Sequence, residues 1–286
     1  MASMRDIKRR KSSIQSTQQI TKAMKLVSTV KLQRAKQRAE QSQAYFNAMY
    51  QTVSSMLAKA GNLQHPYTIG NDSPRKAIVM ITGNRGLAGG YNANIIKLIT
   101  KSDFAKEDLD IYAIGTKGRD TMKRYGYTIK ESYGDLAEEP SYSEAMHISR
   151  SLLSAYKAGE IGEIYLAYTS FKNTVSHEPK LIRLLPADTS AKAAEEGSGA
   201  TAAMNFEPED EEALSLIVPQ YVTSLIYGGL VESVASENGA RMQAMDSATS
   251  NAEEMISSLS LLYNRARQGA ITQELTEIIA GAEAIS

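Results

Sequence analysis

Apolar and small side chains recur near the start of the chain in alternating steps of three and four. From Leu32 the stripe runs Leu32, Ala35, Ala39, Ser42, Phe46, Met49, Val53, Met56 and Ala60, the spacing of a coiled-coil seam. Upstream, Ile7, Ile14, Thr21, Met24 and Ser28 continue it with a slip near residue 28, a stutter that changes local supercoiling. At the other end Met242, Met245, Thr249, Ala252, Ile256, Leu259, Tyr263, Ala266 and Ala270 follow the same alternation. Small residues at so many seam positions predict two helices packed closely together. The first is expected over 4–60, stopped by Gly61 and Pro66. The second is expected to start at Pro219, a favoured first-turn residue, and to run to residue 286. At 1.5 Å per residue they measure roughly 85 Å and 100 Å, so the second overshoots by roughly ten residues or more. The overshooting stretch, RQGAITQELTEIIAGAEAIS, is apolar at Ile271, Leu275, Ile278, Ile279 and Ile285 and has no helical partner of its own. Apolar surface of that kind implies an enclosing sleeve.

Between the helices the period changes. KAIVMIT (76–82), LDIYAIG (109–115), YTIKES (127–132), GEIYLAYTSF (162–171) and PKLIRLLP (179–186) predict short strands, with helices at 91–101, 116–125 and 142–158. Strand and helix in alternation predict a small Rossmann-like α/β domain with a largely parallel sheet. Residues 187–203, ADTSAKAAEEGSGATAA, have the composition of a linker. The expected organisation is therefore an N-terminal coiled-coil helix (1–60), an α/β domain (61–208) and a C-terminal coiled-coil helix (209–286) ending in a single-helix tip. The two long helices pair antiparallel.

Charge strengthens the pairing. Residues 1–40 hold 11 Lys/Arg against 2 Asp/Glu, whereas residues 205–286 hold 3 against 13, inside a chain with no net charge. A basic end alone would point to nucleic acid, but 1–40 lacks interleaved aromatics and the opposite end is its electrical complement. The chain has no Cys, which excludes disulfides and Cys-ligated metal. No signal-peptide core and no uninterrupted apolar span long enough to cross a membrane are found, so the protein is expected not to span one itself.

Candidate chemistry centres on ITGNRGLAGGYN (81–92), a glycine-rich turn between an expected strand and an expected helix. Its spacing, Gly83, Gly86, Gly89, Gly90, matches neither the dinucleotide fingerprint nor a P-loop. GTKGRD (115–120) is no better. Tight turns and close backbone approach remain the expected role of these glycines. His65, His147 and His177 are scattered without metal-ligand spacing, and EDEE (209–212) suits a solvated helix start. No catalytic, cofactor-binding or metal site is expected.

ITKAMKLVSTVKLQRA (20–35), GLAGGYN (86–92), SENGARMQAMDSATSNAEEMI (236–256) and ITQELTEIIAGAEA (271–284) together resemble the gamma subunits of rotary F-type ATP synthases. The C-terminal pattern Ile271-Thr272-x-Glu274-x-x-Glu277-x-x-x-Gly281-Ala282 is specific, and the matching pieces span almost the whole chain. Gly269 and Asn84 depart from the residues common in the family, and the absence of a cysteine-bearing insertion points to a bacterial form. The resemblance implies a non-catalytic central rotor shaft coupling proton flow to ATP synthesis or hydrolysis. Its implied partners are three alpha and three beta subunits, which hold the nucleotide sites, the epsilon subunit and the membrane ring of c subunits. Its implied place is peripheral, at the cytoplasmic face of the cell membrane. By motif match, Met24, Lys25, Arg241, Arg267, Gln268, Thr272 and Glu274 are the expected torque and catch contacts. Two other classes fit the residues: a nucleotide-dependent α/β enzyme with a helical arm, and a coiled-coil adaptor between two partners.

Overall fold

A computed structural model describes residues 3–59, 65–187 and 210–283. In chain order the elements are α1 Met4–Lys59, α2 Pro66–Ile69, β1 Lys76–Ile81, α3 Tyr91–Thr100, β2 Leu109–Ile114, α4 Thr116–Arg124, β3 Thr128–Tyr133, α5 Tyr142–Lys157, β4 Glu163–Phe171, β5 His177–Leu185 and α6 Asp210–Glu283. Single-turn 3-10 helices at Lys106–Asp108 and Asp135–Ala137 complete the connections. Contacts divide the chain into two units, Met1–Ser28 with Arg241–Ser286, and Thr29–Ala240.

The larger unit is built on a five-stranded sheet of order β3-β2-β1-β4-β5. β1 pairs parallel with β2 and β4, β2 pairs parallel with β3, and β5 joins β4 antiparallel. The inner strands β1 and β2 are nearly continuous apolar runs because both of their faces are covered. Alternate residues serve opposite layers. Ala77, Val79 and Ile81 pack with Ile148 and Leu152 of α5 and with Val218, Val222, Ile226 and Leu230 of α6. Ile78 and Met80 pack instead with Ile95 and Ile99 of α3 and Met122 of α4. Full burial of each such side chain stabilises the fold by ~1.5–3 kcal/mol. Gly229 lets α6 come close: a Cβ there would stand 3.0 Å from Leu166 Cδ2. Leu32, Ala35 and Val53 of α1 are buried in the same unit.

In the smaller unit the first half of α1 pairs with the middle of α6. Gln18 meets Glu253, Thr21 meets Thr249, and Lys25 meets Asp246, so one number rises as the other falls and the pair is antiparallel. Ile7, Thr21, Ser28, Met245, Thr249 and Ala252 are the buried seam, in agreement with the apolar spacing. The Thr21 and Thr249 hydroxyls lie 2.8 Å apart and each also sits within reach of its own helix's carbonyl, Gln18 or Met245. Two protons serve three contacts, so one hydroxyl bonds its own helix while the other bonds across.

One boundary differs from expectation. Pro219 lies inside α6, not at its start. The helix starts upstream of the proline, at Asp210. The helix absorbs the proline's missing N–H, and Thr223 Oγ1 donates to the Pro219 carbonyl at 2.8 Å. The expected linker beyond Ala187, residues 60 and 285, and the side chains of Ser42, Phe46 and Met56 lie outside the described residues.

Candidate functional site: the glycine loop, the helix pair and the helical tip

The glycine loop follows β1, where α/β proteins commonly hold phosphate on free backbone amides at a helix start. Here the chain's own side chains take the amide that opens the loop and two amides at the neighbouring start of α4, while the N-cap of α3, Gly90, has no side-chain cap. Asn92 Oδ1 accepts the Gly83 N–H at 2.8 Å, Asn84 Oδ1 accepts the Thr116 N–H at 3.0 Å, and Thr82 Oγ1 accepts the Gly118 N–H at 3.0 Å. Asn84 Nδ2 also donates to the Gly134 carbonyl at 2.8 Å, a bond that an aspartate at this position does not make. The Glu237 carboxylate fills the remaining space. An added Cβ at Gly83 would stand 2.6 Å from its Oε1. An anion arriving here meets three amides already taken and the Glu237 side chain lying against Gly83. Gly115 (φ 91) stands so close to the Thr82 carbonyl oxygen that its Cβ would be 2.0 Å away, whereas Gly89 (φ 55) has open space. These glycines shape the turn, and the exposed Leu87 shares its left-handed conformation at φ 62.

A second arrangement lies on the same edge of the sheet. β1 pairs with β4 only as far as Met80↔Ala167. Thr169 and Phe171 continue the alternation past the end of β1, so their backbone groups on that side have no strand partner. On the β5 side Thr169 and Pro179 form a non-hydrogen-bonded pair, so β5 takes neither backbone group of Thr169. Helix α6 substitutes for the missing strand. Ser233 Oγ accepts the Thr169 N–H at 3.3 Å, Ser236 Oγ donates to the Thr169 carbonyl at 3.1 Å, and Glu232 Oε2 accepts the Phe171 N–H at 3.1 Å. With Glu237 these form one polar face at i, i+1, i+4 and i+5, three of its four members buried. Sequence reasoning missed this row. Its signal was two serines and two glutamates at i, i+1, i+4 and i+5 on one side of α6.

The seven expected contact residues fall in three places. Met24 and Lys25 are half-buried on α1, and Lys25 Nζ is 2.5 Å from Asp246 Oδ1 of α6. Arg241 is half-buried on α6. Arg267, Gln268, Thr272 and Glu274 are exposed on the last turns of α6, and Thr272 Oγ1 donates back to the Gln268 carbonyl at 2.9 Å. At about 100° per residue these four share one half of the helix with Ile271, Leu275, Ile278 and Ile279, whose side chains are all half or more exposed or nearly so (49%, 55%, 67% and 59%). The tip is thus an uncovered apolar face with a polar entry. Lys36 pairs at 3.6 Å with Glu40 of its own helix, and Lys31 and Arg85 both approach Glu138 at 3.7 Å.

No described cluster of His, Asp and Glu is arranged to hold a metal ion. Burial pushes the hydroxyls of Tyr112, Tyr156 and Tyr168 up to about 12, which keeps them protonated and unsuited to act as bases at neutral pH. His65 caps α2, its Nδ1 accepting the Tyr67 N–H at 3.2 Å. A window within Leu214–Ala282 of α6 is apolar enough to cross a membrane by length and composition, yet half of it is buried inside the protein's own fold, as in a core helix.

The family profile described as ATP synthase matches residues 3–285. The ATP synthase gamma chain of Lachnoclostridium phytofermentans is 62% identical over all of both chains. The chain of Acetobacterium woodii named ATP synthase gamma chain, sodium ion specific, is 39% identical over 99% of each. Among solved structures, a chain of the Euglena gracilis mitochondrial ATP synthase (OSCP, F1 and c-ring) superposes with a TM-score of 0.69 at 18% identity, covering 99% of this chain and 94% of that one. A chain of the Tetrahymena thermophila mitochondrial central stalk and c-ring gives 0.60 at 24% identity, covering 80% and 99%.

Proposed function

Because the chain belongs to the ATP synthase gamma-chain family, as the central stalk of an F-type enzyme, we propose how it works: as the shaft that couples ion flow to nucleotide chemistry performed elsewhere. It takes no catalytic step itself. Three alpha and three beta subunits surround the helix pair, and the α/β unit docks on the membrane ring of c subunits and on epsilon. The division of labour follows the sequence, with residues 1–60 and 209–286 as shaft and 61–208 as foot. The complex sits at the cytoplasmic face of the cell membrane with this chain peripheral to it. The coupling ion is the proton, chosen by the ring and not by this chain.

The observation that carries this reading is the tip. Ile271, Leu275, Ile278 and Ile279 leave an apolar face in water that only an enclosing collar removes from it. Met24, Lys25, Arg241, Arg267, Gln268, Thr272 and Glu274 are its contacts with the surrounding subunits, and their changing contacts bias each nucleotide site among conformations as the shaft turns. Co-purification tests it. One copy of this chain per three copies each of two nucleotide-binding subunits is expected. A one-to-one complex with a single partner supports an adaptor, and saturable micromolar ATP binding by the isolated chain supports a nucleotide-dependent enzyme. Proton against sodium is tested by whether synthesis in vesicles requires sodium.

A further inference from the structure

We propose that the α6 face carrying Glu232, Ser233, Ser236 and Glu237 is the clutch through which the foot sheet grips the shaft helix under load. The inference rests on the central-stalk reading. A shaft turned from its foot needs a connection that resists sliding and twisting of helix on sheet. Apolar contacts such as Val222, Ile226 and Leu230 on the sheet resist sliding through close packing but fix no hydrogen-bond register. Hydrogen bonds are directional and weaken steeply with angle. The polar row sits where it resists motion in two senses. Ser233 and Ser236 hold both backbone groups of Thr169, fixing α6 along β4, and Glu232 repeats the grip at Phe171. Glu237 wedges against Gly83 at the end of β1, so rotation of α6 about its axis drives its carboxylate into backbone. Thr169, Ser233 and Ser236 are buried, so a broken bond is not replaced by water and slippage exposes unpaired groups. The overhang of β4 beyond β1 thus has a use: it turns a strand end into a socket for a helix.

The test uses the assembled complex in vesicles. In the double variant Ser233→Ala/Ser236→Ala, ATP synthesis against an imposed ion gradient is expected to fall about fivefold or more, while ATP hydrolysis by the detached catalytic sector stays within about twofold of wild type. Glu232→Gln, which keeps an acceptor for the Phe171 N–H, is expected to retain synthesis, and Glu232→Ala to lose it. Ile95→Val, on the opposite face of the sheet, controls for lost stability and should leave the ratio of synthesis to hydrolysis unchanged. Equal loss of both activities in the double variant, or no loss of either, overturns the clutch. A wild-type chain that assembles but supports no coupled synthesis contradicts the central-stalk reading instead.

Discussion

Lys25 of α1 and Asp246 of α6 form an ion pair of 2.5 Å that ties the basic end of the chain to its acidic end. Both side chains remain substantially exposed, at 40% and 57%. The pair therefore adds only about 0–1 kcal/mol, and the buried Thr21, Met245 and Ala252 seam holds the helices together. Asp246→Ala is expected to change stability by less than about 1 kcal/mol. Asp246→Lys, which sets like charges together, should cost more at ~0.01 M salt than at ~1 M, where the Debye length shrinks from ~30 Å to ~3 Å. Thermal melts at the two salt concentrations check this, and an effect independent of salt contradicts it.

The glycine turn gives a graded prediction. Gly115→Ala places a Cβ 2.0 Å from the Thr82 carbonyl oxygen and should destabilise by about 3 kcal/mol or more. Gly89→Ala meets only the penalty of its left-handed backbone, about 1–2 kcal/mol. Urea titration of both variants should rank them in that order. Calorimetry with ATP should give no saturable binding by the wild-type chain or by either variant.

Acid should loosen the β4–β5 hairpin. His177 stacks on Phe171 at 5.9 Å, and a Cβ on Gly239 would lie 2.6 Å from its Cε1. Neither ring nitrogen makes a well-formed hydrogen bond, and burial pushes the imidazole's pKa down, with the Thr174 backbone partly opposing. The neutral ring is the one that fits. Its contribution to stability is fully present above the ordinary value of about 6.5 and is lost as pH falls through the lower folded value. Melting temperature should drop more steeply below about pH 6.5 in wild type than in His177→Phe. Parallel pH profiles for the two proteins contradict it.

The tip separates a collar from open solvent. In a partly desolvated collar, a charged hydrogen bond is worth about 1.5–3 kcal/mol, whereas on open surface the same change costs little. Arg267→Ala and Gln268→Leu should each cut turnover of the assembled enzyme about tenfold or more. Removal of Glu283–Ser286 should be much better tolerated. Equal damage from the truncation places the collar elsewhere.

Much of this was legible in the chain. The apolar runs at 76–82 and 109–115 marked β1 and β2 because strands buried on both faces need little else. The three-four alternation through Met245, Thr249 and Ala252 marked the seam because one stripe of α6 is covered there. Pro219 misled because a first-turn preference does not exclude an interior proline in a helix that begins upstream, at Asp210. The role of Ser233 and Ser236 was not legible. It depends on β4 outrunning β1, a matter of sheet register between segments far apart in sequence, which no local periodicity encodes. The same holds for Asn84 and Asn92, whose amides close the glycine turn across 32 and 9 residues.

Within the assembled complex this chain is expected to turn. It has no cysteine, so Lys130→Cys on the edge strand β3, an exposed position, offers a unique attachment point on it. With the catalytic subunits fixed to a surface and a bead on that cysteine, ATP should drive sustained rotation in one direction that ceases when ATP is withdrawn. Continued ATP hydrolysis with the bead stationary, or moving equally in both directions, would contradict the account.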